Sequence, residues 1–336
     1  MHARLPRLRP VAVAVMLLLW TAAVRAEEAP APDQAQLRAA ITKSLGFLQK
    51  EGDAWMGEHD CNGCHHMPEL LWSHREAKRR GFAIDEKLFK EFVEWANSHA
   101  KDVGPGREMT ALMKLAMPEE PAPELTKLIL QGQQKDGSWK PAGQFATMQR
   151  RGEQDATGNS ARLFLLALAT QETDRDATEE ARRKAAALTA KIDPATSMET
   201  LVVRALYARR FGPADEAKAL REEVLKLQHA DGGWASVIGE ETSDSLATGQ
   251  ALYMLQQAPD EASAIAVGAA ERWLLTRQRD DGGWSIDITR VSKIDRSAPA
   301  KSKSLKDATG IYTYWGSAWA TIGLLQGVPV VPDGGN

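Results

Sequence analysis

One phrase, Gln-x-x-Asp-Gly-(Gly/Ser)-Trp, occurs three times in the 336-residue chain: at Gln133–Trp139, Gln228–Trp234 and Gln278–Trp284. A degraded copy with the same Gln-to-Trp spacing runs from Gln49 to Trp55. The tryptophans Trp55, Trp139, Trp234 and Trp284 are separated by 84, 95 and 50 residues. The first two separations are close to twice the third, so the unit is about 45 residues long and some units have lost the phrase. A unit of this size cannot bury its own apolar face. It is stable only when stacked against its neighbours, so the chain folds as a ring or stack of equivalent modules.

Each phrase has a local reading. Leu220, Val224 and Leu227 precede the second copy, and Ala266, Ala270, Trp273 and Leu274 precede the third. Recurrence at three and four residues marks one face of a helix. The Asp-Gly that follows ends that helix, because glycine takes left-handed angles without a Cβ clash. The tryptophan brings a large apolar body and one N–H donor, suited to pinning the turn on a neighbouring helix. Helix-start signals come next, at Asp155-Ala156-Thr157-Gly158, Thr242-Ser243-Asp244 and Asp307-Ala308-Thr309-Gly310. Asp, Ser and Thr cap the exposed N–H groups of such starts.

Carried along the chain, this pattern predicts six helix pairs: 34–50 with 66–82, 86–98 with 107–117, 122–134 with 155–172, 177–191 with 197–212, 214–229 with 243–258, and 262–278 with 316–327. Segment 285–306, with Lys301, Lys303 and Lys306, lacks helical periodicity and is expected to be a solvated surface insertion. No stretch alternates long enough to form a sheet.

The three phrases resemble the QW motif of squalene–hopene cyclases and the related prenyltransferase and squalene oxidase repeat. The resemblance implies an all-α fold, an α/α toroid of about six hairpins in a single ring, like the C-terminal domain of a squalene cyclase. In it Gln133, Gln228 and Gln278 stack on Trp139, Trp234 and Trp284 and tie each outer helix to its neighbour. It does not imply the chemistry, since one fold hosts many functions. The cyclase acid run Asp-x-Asp-Asp is absent: Asp280-Asp281 belongs to a turn phrase and Asp287 stands alone. Prenyltransferase β-subunits bind zinc through separated Asp, Cys and His, and beyond the paired Cys61 and Cys64 no cysteine remains for that here. Asp155, Asp244 and Asp307, at inner-helix starts, are candidate cavity-mouth acids, with simple N-capping as the alternative.

The remaining bounds come from charge and from the N-terminus. With 42 basic and 45 acidic residues the chain has no basic excess, which excludes a dedicated nucleic-acid binder. Arg4, Arg7 and Arg9 precede the apolar run Val11–Val24, and Val24-Arg25-Ala26 offers a cleavage site. That is the layout of a secretory signal peptide. The expected organisation is a signal peptide at 1–26, a flexible segment at 27–33, a toroid at 34–328 with an insertion near 55–68, and a tail at 329–336. The mature protein is then exported, to a periplasm or beyond, with no transmembrane span. Retention of the segment as an anchor is the alternative.

Both cysteines lie in Cys61-Asn62-Gly63-Cys64-His65-His66. Cys-x-x-Cys-His is the attachment pattern of c-type haem: two thiols add to the vinyl groups and His65 becomes an axial ligand. The expected cofactor is haem c on Cys61, Cys64 and His65. The sixth ligand is open among His59, His74, His99, Met56, Met109, Met113 and Met117. A Cys61–Cys64 disulfide, or zinc held with His65 or His66 and His59, are the rival readings. The run from Cys64 to Ser73 also resembles a group of exported bacterial toroid proteins with this phrase in their first hairpin. The expected function is an exported, non-cyclase toroid carrying one haem in a redox or ligand-binding role. Its cavity would meet an apolar small molecule or a redox partner. The alternatives are a terpenoid- or lipid-modifying enzyme and a disulfide-bearing interaction scaffold.

Overall fold

The computed structural model describes residues 31–59, 66–99, 104–119, 122–141, 152–170, 175–192, 195–286 and 298–332. Twelve α-helices are found among them: α1 (Gln34–Glu58), α2 (Met67–Arg79), α3 (Glu86–Ser98), α4 (Glu108–Ala116), α5 (Pro123–Gln131), α6 (Glu153–Leu168), α7 (Arg175–Thr189), α8 (Met198–Phe211), α9 (Ala214–Lys226), α10 (Ser245–Gln256), α11 (Glu261–Arg277) and α12 (Ala298–Gln326). Every predicted pair is present. Two single-residue bridges, Ser197 with Val237 and Trp234 with Asp244, are the β-type pairings among the described residues.

The even-numbered helices form an inner ring. Each packs on the next, and α12 returns to α2. The odd-numbered helices surround them, so the fold is a closed α/α toroid. Local chemistry starts the helices where the sequence signals it. Asp33 with Gln36 and Asp260 with Ser263 form reciprocal capping boxes. Pro68 sits in the first turn of α2, where its missing N–H costs nothing.

The three phrases make the outer seams. After α9, Gly232 turns the chain at φ 93°, and a Cβ there would meet the Ala269 carbonyl oxygen of α11 at 2.7 Å. Only glycine permits both the angle and the approach. The Gln228 side-chain amide donates to its own Gly232 carbonyl at 2.8 Å and across the seam to the Ala266 carbonyl at 2.9 Å. Trp234 donates its indole N–H back to the Val224 carbonyl of α9 at 2.8 Å, and its side chain is fully buried. The other copies repeat this. Gln133 reaches Ala181 of α7 and Trp139 returns to Ile129. Gln278 reaches the Ala40 carbonyl of α1 at 2.9 Å and Trp284 returns to Leu274. The third phrase therefore closes the ring. The glutamine ties the seam as the resemblance implies, whereas the indole N–H returns to the helix end that precedes it and not to the neighbouring helix.

Three expectations are corrected. The degraded copy at Gln49–Trp55 makes no turn, because α1 runs through it to Glu58. Gly52 stays helical, and a Cβ there would sit 2.3 Å from Leu70 Cδ1, so this glycine serves close packing of α1 on α2. Segment 285–306 is not wholly a loop, because α12 begins at Ala298. In the fold a Cβ on Gly316 would meet Ser245 Oγ at 2.4 Å, so that glycine lets α12 lie close against α10. Asp307 consequently lies within α12, exposed, and starts no helix.

Candidate functional site

All six inner helices line a central cavity of about 460 Å³, within the range of small-molecule sites. Its wall is aliphatic, built from Leu112 and Leu115 of α4, Leu163 and Leu166 of α6, and Val202 and Leu206 of α8. Trp72, Tyr253 and Trp319 form an aromatic group on one side. Trp72 meets Tyr253 at 5.7 Å and Trp319 at 5.4 Å between ring centroids. Trp315 adds a fourth ring to the lining.

The two ends of the cavity differ. At the N-terminal ends of the inner helices lie Glu69, the third residue of α2, and Glu199, the second residue of α8. Glu69 is 4 % exposed, and its Oε2 has no hydrogen-bond partner. Burial pushes its carboxyl up to about 8, and the nearby Glu199 charge adds to the rise. Burial disfavours the carboxylate, so the group holds its proton at neutral pH. Asn159 donates to Glu199 at 3.1 Å. Trp72 Nε1 and Ser245 Oγ are likewise buried and without partners. The opposite end, at the inner-helix C-termini, is open and carries Arg75, Arg209 and Arg210. A protonated acid at the closed end of an apolar, aromatic chamber can deliver a proton to a bound molecule. The aromatic faces there favour positive charge.

The acids singled out in the sequence do other work. Asp155 accepts from Thr196 N at 2.7 Å, Ser197 Oγ at 3.0 Å and Thr200 Oγ1 at 2.8 Å, fastening the start of α8 to α6. Asp244 caps α10, accepting from Ala247 N at 2.9 Å and Ser236 N at 2.8 Å. Neither of them, nor Asp307, is among the residues that line the cavity. The carboxylates in the cavity wall, Glu69 and Glu199, come from α2 and α8, helices whose starts the sequence did not single out. Glu69 and Glu199 looked like ordinary acids at helix starts, where the dipole favours them. The usable signal was register: Glu69 lies three residues before the cavity tryptophan Trp72, on the same face.

Cys61, Cys64 and His65 lie outside the described residues. Their flanks are described. The His66 ring, at the start of α2, stacks 4.4 Å from Trp55 and lies 4.1 Å from the Tyr314 ring, and His59 stacks on Trp55 at 3.8 Å. Of the proposed axial ligands, His74 is buried with Nδ1 2.9 Å from the Leu70 carbonyl and Nε2 without a partner. Burial lowers its pKa to about 4. Met109, Met113 and Met117 are buried in the same apolar cluster. His99 stacks on Trp95, and Met56 packs at the edge of that cluster. No group of three His, Cys, Asp or Glu side chains forms a metal site among the described residues.

No family model and no curated relative matches the chain. Several solved structures do. A type II terpene cyclase, MstE from Scytonema, in complex with geranylgeranyl dihydroxybenzoate as substrate, is similar at TM-score 0.57 and 13 % identity, over 88 % of this chain and 98 % of that one. An unsaturated glucuronyl hydrolase from Streptococcus agalactiae is similar at TM-score 0.57 and 12 % identity, over 90 % and 93 %. A GH105-type protein from Klebsiella pneumoniae is similar at TM-score 0.58 and 12 % identity, over 95 % and 99 %. At these identities the likeness is one of fold.

Proposed function

We propose that the protein is an acid catalyst acting on a long, apolar, isoprenoid-like molecule held in the central cavity, with Glu69 as proton donor. The observation that supports this is a buried carboxyl, one oxygen of which has no hydrogen-bond partner, in the wall of an aromatic-lined apolar chamber, where burial favours its protonated form. Glu69 would pass its proton to an alkene carbon. The resulting carbocation would lie against Trp72, Tyr253, Trp315 and Trp319, and loss of a proton from a neighbouring carbon would restore the acid. The step is redox-neutral, with one proton in and one out. It uses a different carboxyl from the Asp-x-Asp-Asp of the cyclases. The terpene cyclase neighbour binds a substrate of this class, whereas the aliphatic wall here offers few partners for the hydroxyls of a sugar.

The test is incubation of the purified protein with linear isoprenoids in deuterated water, with products read by mass spectrometry. Deuterium incorporation is expected for the wild type, and a drop of about 10²–10⁴-fold for Glu69→Gln, with helix content unchanged. Equal turnover by that variant would remove Glu69 from the role.

The Cys-x-x-Cys-His motif supports a second reading, in which an exported form carries covalent haem c on Cys61, Cys64 and His65 in a redox or ligand-binding role. The unpartnered Nε2 of His74 has the ligand-ready tautomer and is the sixth-ligand candidate that this reading takes. A Soret band surviving acid–acetone extraction is expected, and Cys61→Ser/Cys64→Ser should abolish it without loss of helix, because the seams hold the ring. A colourless protein without free thiols would indicate the disulfide instead, and bound zinc would show in elemental analysis.

A further inference from the structure

The open end of the cavity is chemically specific in a way that proton donation does not require. Helices α2 and α8 stand opposite each other in the inner ring of six. Each brings arginine to the cavity near its C-terminus: Arg75 from α2, Arg209 and Arg210 from α8. The bland role for such arginines is to neutralise the negative ends of helix dipoles. Arg75 does this. Its guanidinium donates to the Leu115 and Ala116 carbonyls at the end of α4, at 3.2 and 2.5 Å, and to Glu76 at 2.6 Å. Even so, its Nε–H stays buried without a partner.

Arg209 and Arg210 behave differently. Both are exposed; the Arg210 guanidinium lies over the Phe211 ring at 5.5 Å, and neither arginine donates to a carbonyl or pairs with a carboxylate among the described residues. The acids of this region are already committed: Glu76 to Arg75 and Arg80, and Asp260 to Arg221 at 3.1 Å. Arg209 also separates the central cavity from a smaller one of about 260 Å³, which shares Leu206 and adds Lys218 and Arg221. Cationic side chains therefore crowd one end of an apolar chamber while a neutral acid closes the other.

We propose that the ligand of this cavity is an amphiphile with an anionic head, a carboxylate or a phosphate ester, received by Arg209 and Arg210 at the mouth. Its apolar chain would run down the inner ring toward Glu69. This rests on the apolar-ligand reading above and adds the head group and the direction of insertion. An arginine fork recognises either anion by paired charge-assisted hydrogen bonds.

The experiment uses three probes with one tail: geranylgeranoic acid, geranylgeranyl diphosphate and geranylgeraniol. Binding to the mature wild-type chain is followed by quenching of the tryptophans that line the cavity. At low salt, at least one anion is expected to bind about tenfold or more tighter than the alcohol, and the margin should shrink as salt screens the exposed charges. Which anion wins distinguishes carboxylate from phosphate recognition. In Arg209→Ala/Arg210→Ala the ratio of anion to alcohol affinity should fall to near one. Arg209→Lys/Arg210→Lys should keep part of it, which a purely structural role would not produce. Equal affinities for all three probes in the wild type would overturn the head-group assignment alone. Failure of any probe to bind would overturn the apolar cavity reading with it.

Discussion

The outer seams and the closed end of the cavity are both built from polar groups set into apolar surroundings, yet they are finished differently. At the seams the accounts close. The Gln228 amide has two carbonyls, the Trp234 indole has one, and the Gly233 N–H has Asp231 at 3.0 Å. At the closed end Glu69 Oε2 and Trp72 Nε1 are buried and unmatched. A buried polar atom without a partner costs stability. Repeated, saturated bonding marks the part of the molecule that holds it together. The unmatched atoms of Glu69 and Trp72 sit instead in the wall of the cavity, where the proposed ligand would meet them.

The contrast can be broken by substitution. Trp234→Ala should cost about 3–5 kcal/mol, the price of a fully buried aromatic, measured by denaturant unfolding; a loss under about 0.5 kcal/mol would show that the indole does not lock the seam. Gln278→Ala should cost about 1–3 kcal/mol, because it removes the amide that bridges the Ala40 and Gly282 carbonyls at the ring closure. Its unfolding should first release α1 from α11, read as faster amide exchange along that seam.

Glu69→Gln should behave in the opposite sense. The folded protein holds a proton at Glu69 to about pH 8, while the unfolded chain sheds it near 4.5. Wild-type stability should therefore fall with pH across that window, by up to about 1.4 kcal/mol per pH unit. Glu271, raised by burial to about 7, steepens the same limb. Glu69→Gln should flatten the slope and match or exceed the wild type at pH 9, as seen in thermal melts. A variant less stable than wild type at pH 9 would contradict the assignment of Glu69 as a costly, unmatched acid.

The helix pairs were legible because each needs only a local pattern: a periodic apolar face, a capping acid, a glycine that ends the helix. The misreadings share one cause. Gly52, inside the degraded copy, looks like part of a turn and is instead a contact point between helices, against Leu70. Asp155 looks like a cap for its own helix and serves the next one, through Thr196, Ser197 and Thr200.

From residue order alone came the module, its repetition and its all-helical ring, since turn chemistry and periodicity act over a few neighbouring residues. Which carboxylate faces the hole, which arginines reach the cavity without a carboxylate partner and which seam closes the circle depend on groups brought together across the ring. Gln278 and Ala40 are 238 residues apart in the chain, and Glu69 feels Glu199 from the far side of the inner ring. Burial and charge act through space, so only the closed ring decides them.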